Sequence, residues 1–411
     1  MGEPTPAVNV VCLASYFKGD DFLREAAQLG ARVSLVTRER TRREPWPHES
    51  LAEAVFLPDE AGAELVVHAV SQLARDRPLC VLVALEEFDV ITAALAREHL
   101  RLAGLKSTEA RRFRDKLTMR AEAEAAGIRA PEFVHLLNYQ EVGEYMGRVP
   151  APWVLKPRSD VSASGVRLCR EAEQVWRAIE ELDARPALQD KSTYYLLERY
   201  VAGEVFHVDS LVEDGEVIFA GASRYGRPPL DVAQGGGVFI SHTVEYDSAD
   251  HEALMRMNAE LLGALGLGRG AAHAEFIKGA DDGQFYFLEV AARVGGAFIA
   301  ETLEAATGVN LWRGWARLEV ARARGQRLGR IEAERAYSGI ALSLARQEWP
   351  DTSAYDDAEI VRRTIKPNHV GLIVRSESLD RVRELLGGYA ERFARDFSAY
   401  VPPPERREVN L

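Results

Sequence analysis

Cysteine is scarce in this chain and forms no pattern. Cys12, Cys80 and Cys169 are its only three among 411 residues. No Cys-x-x-Cys or cysteine–histidine spacing occurs, which argues against a thiolate metal site and a disulfide framework. Long apolar runs are missing too: nothing approaches the ~18 uninterrupted residues of a membrane-spanning helix. Positive charge is in deficit, since 51 Lys and Arg stand against 63 Asp and Glu for a net charge of −12. Nucleic acid is therefore not expected as the main partner, because phosphate backbones need a basic surface. The N-terminus "MGEPTPAVNVVCLAS" has neither a basic start nor a long apolar core, so no signal peptide is expected. With reduced cysteines, these absences predict a cytoplasmic protein without a membrane partner.

Hydrophobic residues make up 47% and charged residues 28% of the chain, the balance of a globular protein with ample core. The length suits two or three packed units. Over the first hundred residues strand-like and helix-like stretches alternate: "VNVVCLAS", then "DDFLREAAQLG" closed by Gly30, then "RVSLVTR". The stretches "AELVVHAVSQLARD", "LCVLVAL" and "DVITAALAREHL" continue the series. Such alternation predicts a parallel sheet flanked by helices. The first strand-to-helix turn, "ASYFKGDDF", lacks the GxGxxG that would cradle a pyrophosphate. The unit reads as a scaffold that brings Glu86 or Glu87, at a strand end, to a substrate cleft.

From about Arg111 the character changes. "DKLTMRAEAEAAG" is a helix with Asp115 at its start and Gly127 at its end, and "PWVLKPRSDVSASGVRLCR" reads as strand, small-residue loop, strand. "YYLLERYVAGEVFHVDSLVEDGEVIFAGASRYG" gives a strand, a break and a meander turning at Glu213-Asp214-Gly215. Strands that follow one another without helices predict an antiparallel sheet. After a basic helix, "YSGIALSLA" and "HVGLIVRSESLDRVRELL" predict a small strand-and-helix cap.

The stretch "QFYFLEVAARVGG" places Glu289 and Arg293 in an otherwise apolar strand, where an unpaired charge is costly. Upstream, "AAHAEFIKG" carries Glu275. A three-residue Asp281-Asp282-Gly283 loop with Gly283 left-handed would set Glu275 opposite Glu289, their Cβ atoms ~5 Å apart. A two-residue Asp282-Gly283 turn would set Glu289 against Phe276 instead. Two opposed carboxylates repel unless a cation bridges them, and such an oxygen-rich pair suits Mg²⁺. Solvated surface glutamates are the bland alternative.

These residues resemble the ATP-grasp superfamily, and the resemblance covers roughly Arg111 to Glu319. It implies an N-terminal parallel α/β domain (1–110), a small lobe (111–196), a large lobe (197–325) and a C-terminal cap (326–411). The overall class is thus α/β and α+β, with antiparallel sheets in the two-lobed part. It also implies ATP and Mg²⁺ (or Mn²⁺) as cofactors, with Glu275 and Glu289 as metal ligands. Arg293 matches the arginine aimed at the reacting phosphoryl or tetrahedral centre, while Ala291 stands where the family has an Asn. Lys116, after the Asp115 of "RDKLTMRAEAEAAG", would approach the phosphates, and Lys156 of "PWVLKP" would hold the α- and β-phosphates. The loop "SDVSASGV", with Ser162, Ser164 and Gly165, resembles the flap over the triphosphate. "LLERYVAGE" resembles the hinge, so that Glu198 and the backbone of Arg199, Tyr200 and Val201 read the adenine. Glu204 is the candidate ribose contact, although Val205 holds the more usual place.

The implied activity is an ATP-dependent, ADP-forming ligase of the L-amino-acid-ligase type, activating a carboxylate as an acyl phosphate and coupling it to an amine. Beyond the nucleotide site, Arg224 is expected to grip a substrate carboxylate. His242 is a base, a polar contact or a packed structural histidine, and His273 shares the face of Glu275. Two rival readings are a biotin-carboxylase-like activation of bicarbonate and an ATP-binding regulator that has lost catalysis, to which Ala291 points. Small-molecule carboxylates and amines are the expected partners. Many members are dimers, so a homodimer is compatible with the reading.

Overall fold

The computed structural model describes residues 8–160, 164–228, 230, 232 and 236–399. Among these no helix is long and apolar enough to cross a membrane.

The first unit is a parallel four-stranded sheet built from β1 (Asn9–Ala14), β2 (Arg32–Arg38), β3 (Glu53–Leu57) and β4 (Val81–Ala84), in the order β3-β2-β1-β4. Its strands are apolar because both faces are covered. On one face, helices Ala63–Arg75 and Val90–His99 bury Val66, Val70, Val90 and Ala93. On the other, helix Leu311–Ala323 brings Trp312 and Trp315 into a core shared with Leu211, Phe219 and Ala271 of the third sheet. That shared core fixes the C-terminal end of β4, and with it Glu86 and Glu87, against the rest of the molecule. The short strand β3 is not among the sequence expectations; "EAVFL" has a charge at its start and only five residues.

The second sheet is antiparallel and small: β5 (Phe133–His135), β6 (Trp153–Pro157), β7 (Arg167–Cys169) and β8 (Tyr195–Arg199), ordered β5-β8-β6-β7. The helix Lys116–Ala125 enters it from the first unit. Asp115 caps that helix, its carboxylate accepting from Leu117 N at 3.0 Å, which satisfies a backbone donor the helix leaves open. The expected division at 196/197 falls inside β8.

The third sheet has eight strands. β9 (Gly203–Glu213), β10 (Glu216–Tyr225), β11 (Phe239–Thr243), β12 (Gly270–Gly279) and β13 (Phe285–Ala291) precede β14 (Tyr337–Leu344), β15 (Ile360–Arg363) and β16 (His369–Ser376). Their order is β13-β12-β9-β10-β11-β14-β16-β15. The expected C-terminal cap therefore extends this sheet through the β11–β14 pair rather than standing apart. One face of β9, β10 and β12 packs Phe206, Val208, Ala222, Ala274 and Phe276 beneath helices Lys116–Ala125 and Ala249–Leu265. The opposite face carries the polar residues described next.

Candidate active site

Glu275 and Glu289 are directly opposed across β12 and β13. The pairing arises differently from the three-residue loop. Gly279 N donates to Gln284 O at 2.9 Å and Lys278 faces Phe285, leaving a four-residue loop. The register then shifts after Phe276↔Phe287, so Leu288 is an extra residue and Glu289 meets Glu275. Without that bulge Leu288 would oppose Glu275, and Glu289 would turn to the other face; re-aiming a side chain is a common use of bulges. Gly283 does take the left-handed conformation, at φ 65°.

Each glutamate is held by one oxygen. Glu275 Oε1 accepts from Tyr225 Oη at 2.7 Å and lies 3.5 Å from His273 Nε2. Glu289 Oε2 lies 2.9 Å from Lys116 Nζ. Among the described residues nothing bonds to Glu275 Oε2 or Glu289 Oε1. Burial pushes the Glu275 carboxyl up, but His273 and Tyr225 outweigh it and hold the group ionised, below its ordinary range. Two anionic carboxylates with free oxygens on one face fit a hard divalent cation.

Lys116 Nζ also donates to Asp160 O at 2.7 Å, at the edge of the small-residue loop. Lys156, on β6, contacts Glu198 Oε1 on the neighbouring β8, whose Oε2 accepts from Arg120 Nε and Nη2 at 3.0 and 2.9 Å. Arg120 is fully buried, and among the described residues its Nη1 has no hydrogen-bond partner. Burial outweighs Glu198 and pushes the Lys156 ammonium down to about 8. Although burial raises Glu198, Arg120 and Lys156 keep its carboxyl below the ordinary range. Both oxygens of the expected hinge glutamate are thus taken by side chains. Ser164 is buried and Gly165 is left-handed at φ 69°; Ser162 lies outside the described residues. Arg199 ends β8 with Tyr200 and Val201 following it.

Arg293 is clamped from the first unit. Its Nε and Nη2 donate to Glu87 Oε2 at 3.1 and 2.6 Å, and Arg114 Nη1 donates to Glu87 Oε1 at 2.6 Å. Burial would raise Glu87, yet Arg293, Arg114 and Lys116 hold its carboxyl down at about 2. Beside it, Glu86 pairs with Lys18 at 2.5 Å. Downstream, Ala297 and Phe298 both adopt positive φ, 51° and 59°, a conformation non-glycine residues rarely take and one that clusters at functional sites.

Three expected residues lie elsewhere. The pairs Glu275↔His207 and Ser223↔His207 set one face of the sheet. Arg224 pairs with Phe206 and His242, so alternation turns Arg224 and His242 to the opposite face. Arg224 is ion-paired there with Glu204, and His242 Nδ1 lies 2.9 Å from Thr243 O. Burial pushes the His242 imidazole down to about 4, which makes it a neutral packed histidine at neutral pH. Val205, by contrast, faces the glutamates' side with Ile277, Tyr286 and Leu288.

Sequence reasoning missed Arg114 and Arg120, which no local pattern marks. It also missed His207 and Asp209, although two polar residues spaced by two in "EVFHVD" are a period-2 signal for one face of a strand.

Residues 149–301 match the family model of the ATP-grasp domain. That segment is an ATP-grasp domain. The L-arginine-specific L-amino acid ligase of Bacillus subtilis is 21% identical over 263 residues, 64% of this chain and 63% of that protein. The crystal structure of an L-amino acid ligase from Bacillus licheniformis superposes with a TM-score of 0.73 at 18% identity, covering 95% of this chain and 98% of that one. The biotin carboxylase domain of the Hydrogenobacter thermophilus 2-oxoglutarate carboxylase, solved with MgADP and bicarbonate, follows at 0.69 and 18%, covering 92% and 89%. These structural likenesses speak to the ATP-grasp fold of the chain.

Proposed function

We propose that this chain is an ATP- and Mg²⁺-dependent carboxylate–amine ligase that releases ADP and phosphate. The observation that carries the reading is the opposed Glu275–Glu289 pair, each with one oxygen free among the described residues, beside Lys116. When bound, Mg²⁺ would neutralise triphosphate charge between these glutamates. Lys116 and Lys156 supply the remaining positive charge, and Val205, Ile277 and Tyr286 offer an apolar floor next to the hinge at Val201. Here phosphoryl transfer is chiefly positioning and electrostatics.

In the first step a substrate carboxylate oxygen bonds to the γ-phosphorus as the bond to the ADP oxygen breaks. An amine nitrogen then attacks the acyl carbon, phosphate departs with its electron pair, and the amine gives up a proton. Arg293, fixed by Glu87, is preorganised to meet the negative charge that builds on the transferring group. On this reading the small-residue stretch from Ser159 to Val166 would keep water from the acyl phosphate. The L-amino acid ligase likenesses favour amino acids as both substrates.

The test is incubation with ATP, Mg²⁺ and pooled L-amino acids, followed by ADP quantification and a mass-spectrometric search for condensation products. ADP release that needs both an acid and an amine supports the reading. Release driven by bicarbonate alone, or nucleotide binding without release, counts against it.

A further inference from the structure

Behind Glu275 runs a chain of buried polar groups that the ligase reading leaves unused. Ser241 Oγ lies 2.8 Å from His207 Nε2, and His207 Nδ1 lies 2.7 Å from Asp209 Oδ2. Asp209 Oδ1 is 2.9 Å from His273 Nδ1, whose Nε2 faces Glu275 Oε1. His207, Asp209 and Ser241 are each at most 1% exposed. Burying such groups is unfavourable unless every one is satisfied, and here each ring nitrogen and both Asp209 oxygens have a partner.

His207, Asp209 and His273 bring ligand-type atoms within 4.8 Å of one another, so an ion held by the cluster itself is a competing reading. The spacing decides between them. Two ligands bound about 2.0–2.2 Å from a tetrahedral ion stand roughly 3.3 Å apart. The separations of 2.7 and 2.9 Å are those of charge-assisted hydrogen bonds.

One carboxylate thus grips two imidazoles, one by each oxygen. This fixes the rotation of both rings and makes each Nδ1 a donor, which aims His273 Nε2 at Glu275. The Arg293 loop closes on the same bridge. A Cβ on Gly295 would lie 2.6 Å from Asp209 Oδ1 and 3.0 Å from His273 Nδ1, so only glycine fits there without displacement. We propose that Asp209 is a positioning residue that, through His273, holds the Glu275 carboxylate with its Oε2 turned to the metal-bound nucleotide. The proposal rests on the reading of Glu275 as a metal ligand. Hydrogen-bonded partners behind a ligating group commonly set metal affinity, and removing one weakens binding by about 10–100-fold.

The experiment is an electron paramagnetic resonance titration of Mn²⁺ against the full chain with a non-hydrolysable ATP analogue. Asp209→Asn keeps the shape but turns an amide NH₂ toward one imidazole. It should weaken Mn²⁺ binding by about tenfold or more, while binding of the metal-free analogue to Lys116 and Lys156 changes less than about twofold. Ser241→Ala removes only the far hydrogen bond and should weaken Mn²⁺ binding by roughly threefold; it decides alone if Asp209→Asn does not fold. Folded variants that bind Mn²⁺ within about twofold of the wild type overturn the positioning role and leave the ligase reading standing. A wild type that binds no Mn²⁺ with the analogue overturns the ligase reading itself. Metal retained through dialysis without nucleotide, and lost in Asp209→Asn, identifies an ion in the cluster and also overturns the proposal.

Discussion

Glu87 joins the first unit to Arg293, and its removal should be readable as a pH-dependent stability difference. The carboxyl is held at about 2 by Arg293, Arg114 and Lys116, against an ordinary value of about 4.5. At about 1.4 kcal/mol per unit, this amounts to about 3 kcal/mol of native stability. The sign follows from the depressed value: the unfolded chain takes up the proton first, so the contribution is complete above the unfolded value and is lost as the pH falls. About 1 kcal/mol should be gone by pH 4 and about 2 by pH 3. Glu87→Gln mimics the protonated state, so it should be about 3 kcal/mol less stable than the wild type at pH 7, converging on it in acid. Urea unfolding from pH 7 to pH 3, followed by fluorescence of the buried Trp46, Trp312 and Trp315, measures both slopes. Parallel acid slopes for the two proteins would refute the reasoning.

The other predictions are local. Glu289→Gln should abolish turnover and Mn²⁺ binding but change stability by less than about 1 kcal/mol, because the side chain is 37% exposed and its partner Lys116 also holds Asp160 O; a denaturation curve and a turnover assay on one preparation check both. Nucleotide binding without metal should weaken as the pH rises through about 8, where Lys156 loses its proton, and calorimetric titrations from pH 7 to pH 9 should show no such step in Lys156→Gln. Gly203→Ala would put a Cβ 1.9 Å from Lys278 O and 2.9 Å from its carbonyl carbon. With backbone on both sides, β9 and β12 must separate, which should lower stability by about 2 kcal/mol or more; an unchanged melting temperature would contradict the strand register.

Periodicity and punctuation revealed much of the fold. The alternating first unit, the Asp115-capped helix and the Asp214-Gly215 turn, with φ of 51° and 81°, are all local patterns that packing reinforces. The β11–β14 pairing is not local: it joins segments about a hundred residues apart, and nothing in either one names its partner. The opposed glutamates were legible for a reason only half right, since a longer loop and a compensating bulge give the register that a shorter loop would have given. Arg224 and His242 were attractive as polar residues at the two ends of the glycine-containing stretch "RYGRPPLDVAQGGGVFISH". Their direction depends on how β10 and β11 register against β9 and β12, which composition does not encode. For Asp209 the alternation in "EVFHVD" marks a polar face but not its partners, since His207 on the same strand and His273 on β12 meet it only in the folded sheet.

The most direct test of the account follows the oxygen atoms. With amino acids labelled by ¹⁸O in the carboxyl group, attack on the γ-phosphorus should leave one ¹⁸O in each phosphate released alongside product. Condensation product accompanied by unlabelled phosphate, or by AMP and pyrophosphate, would contradict it.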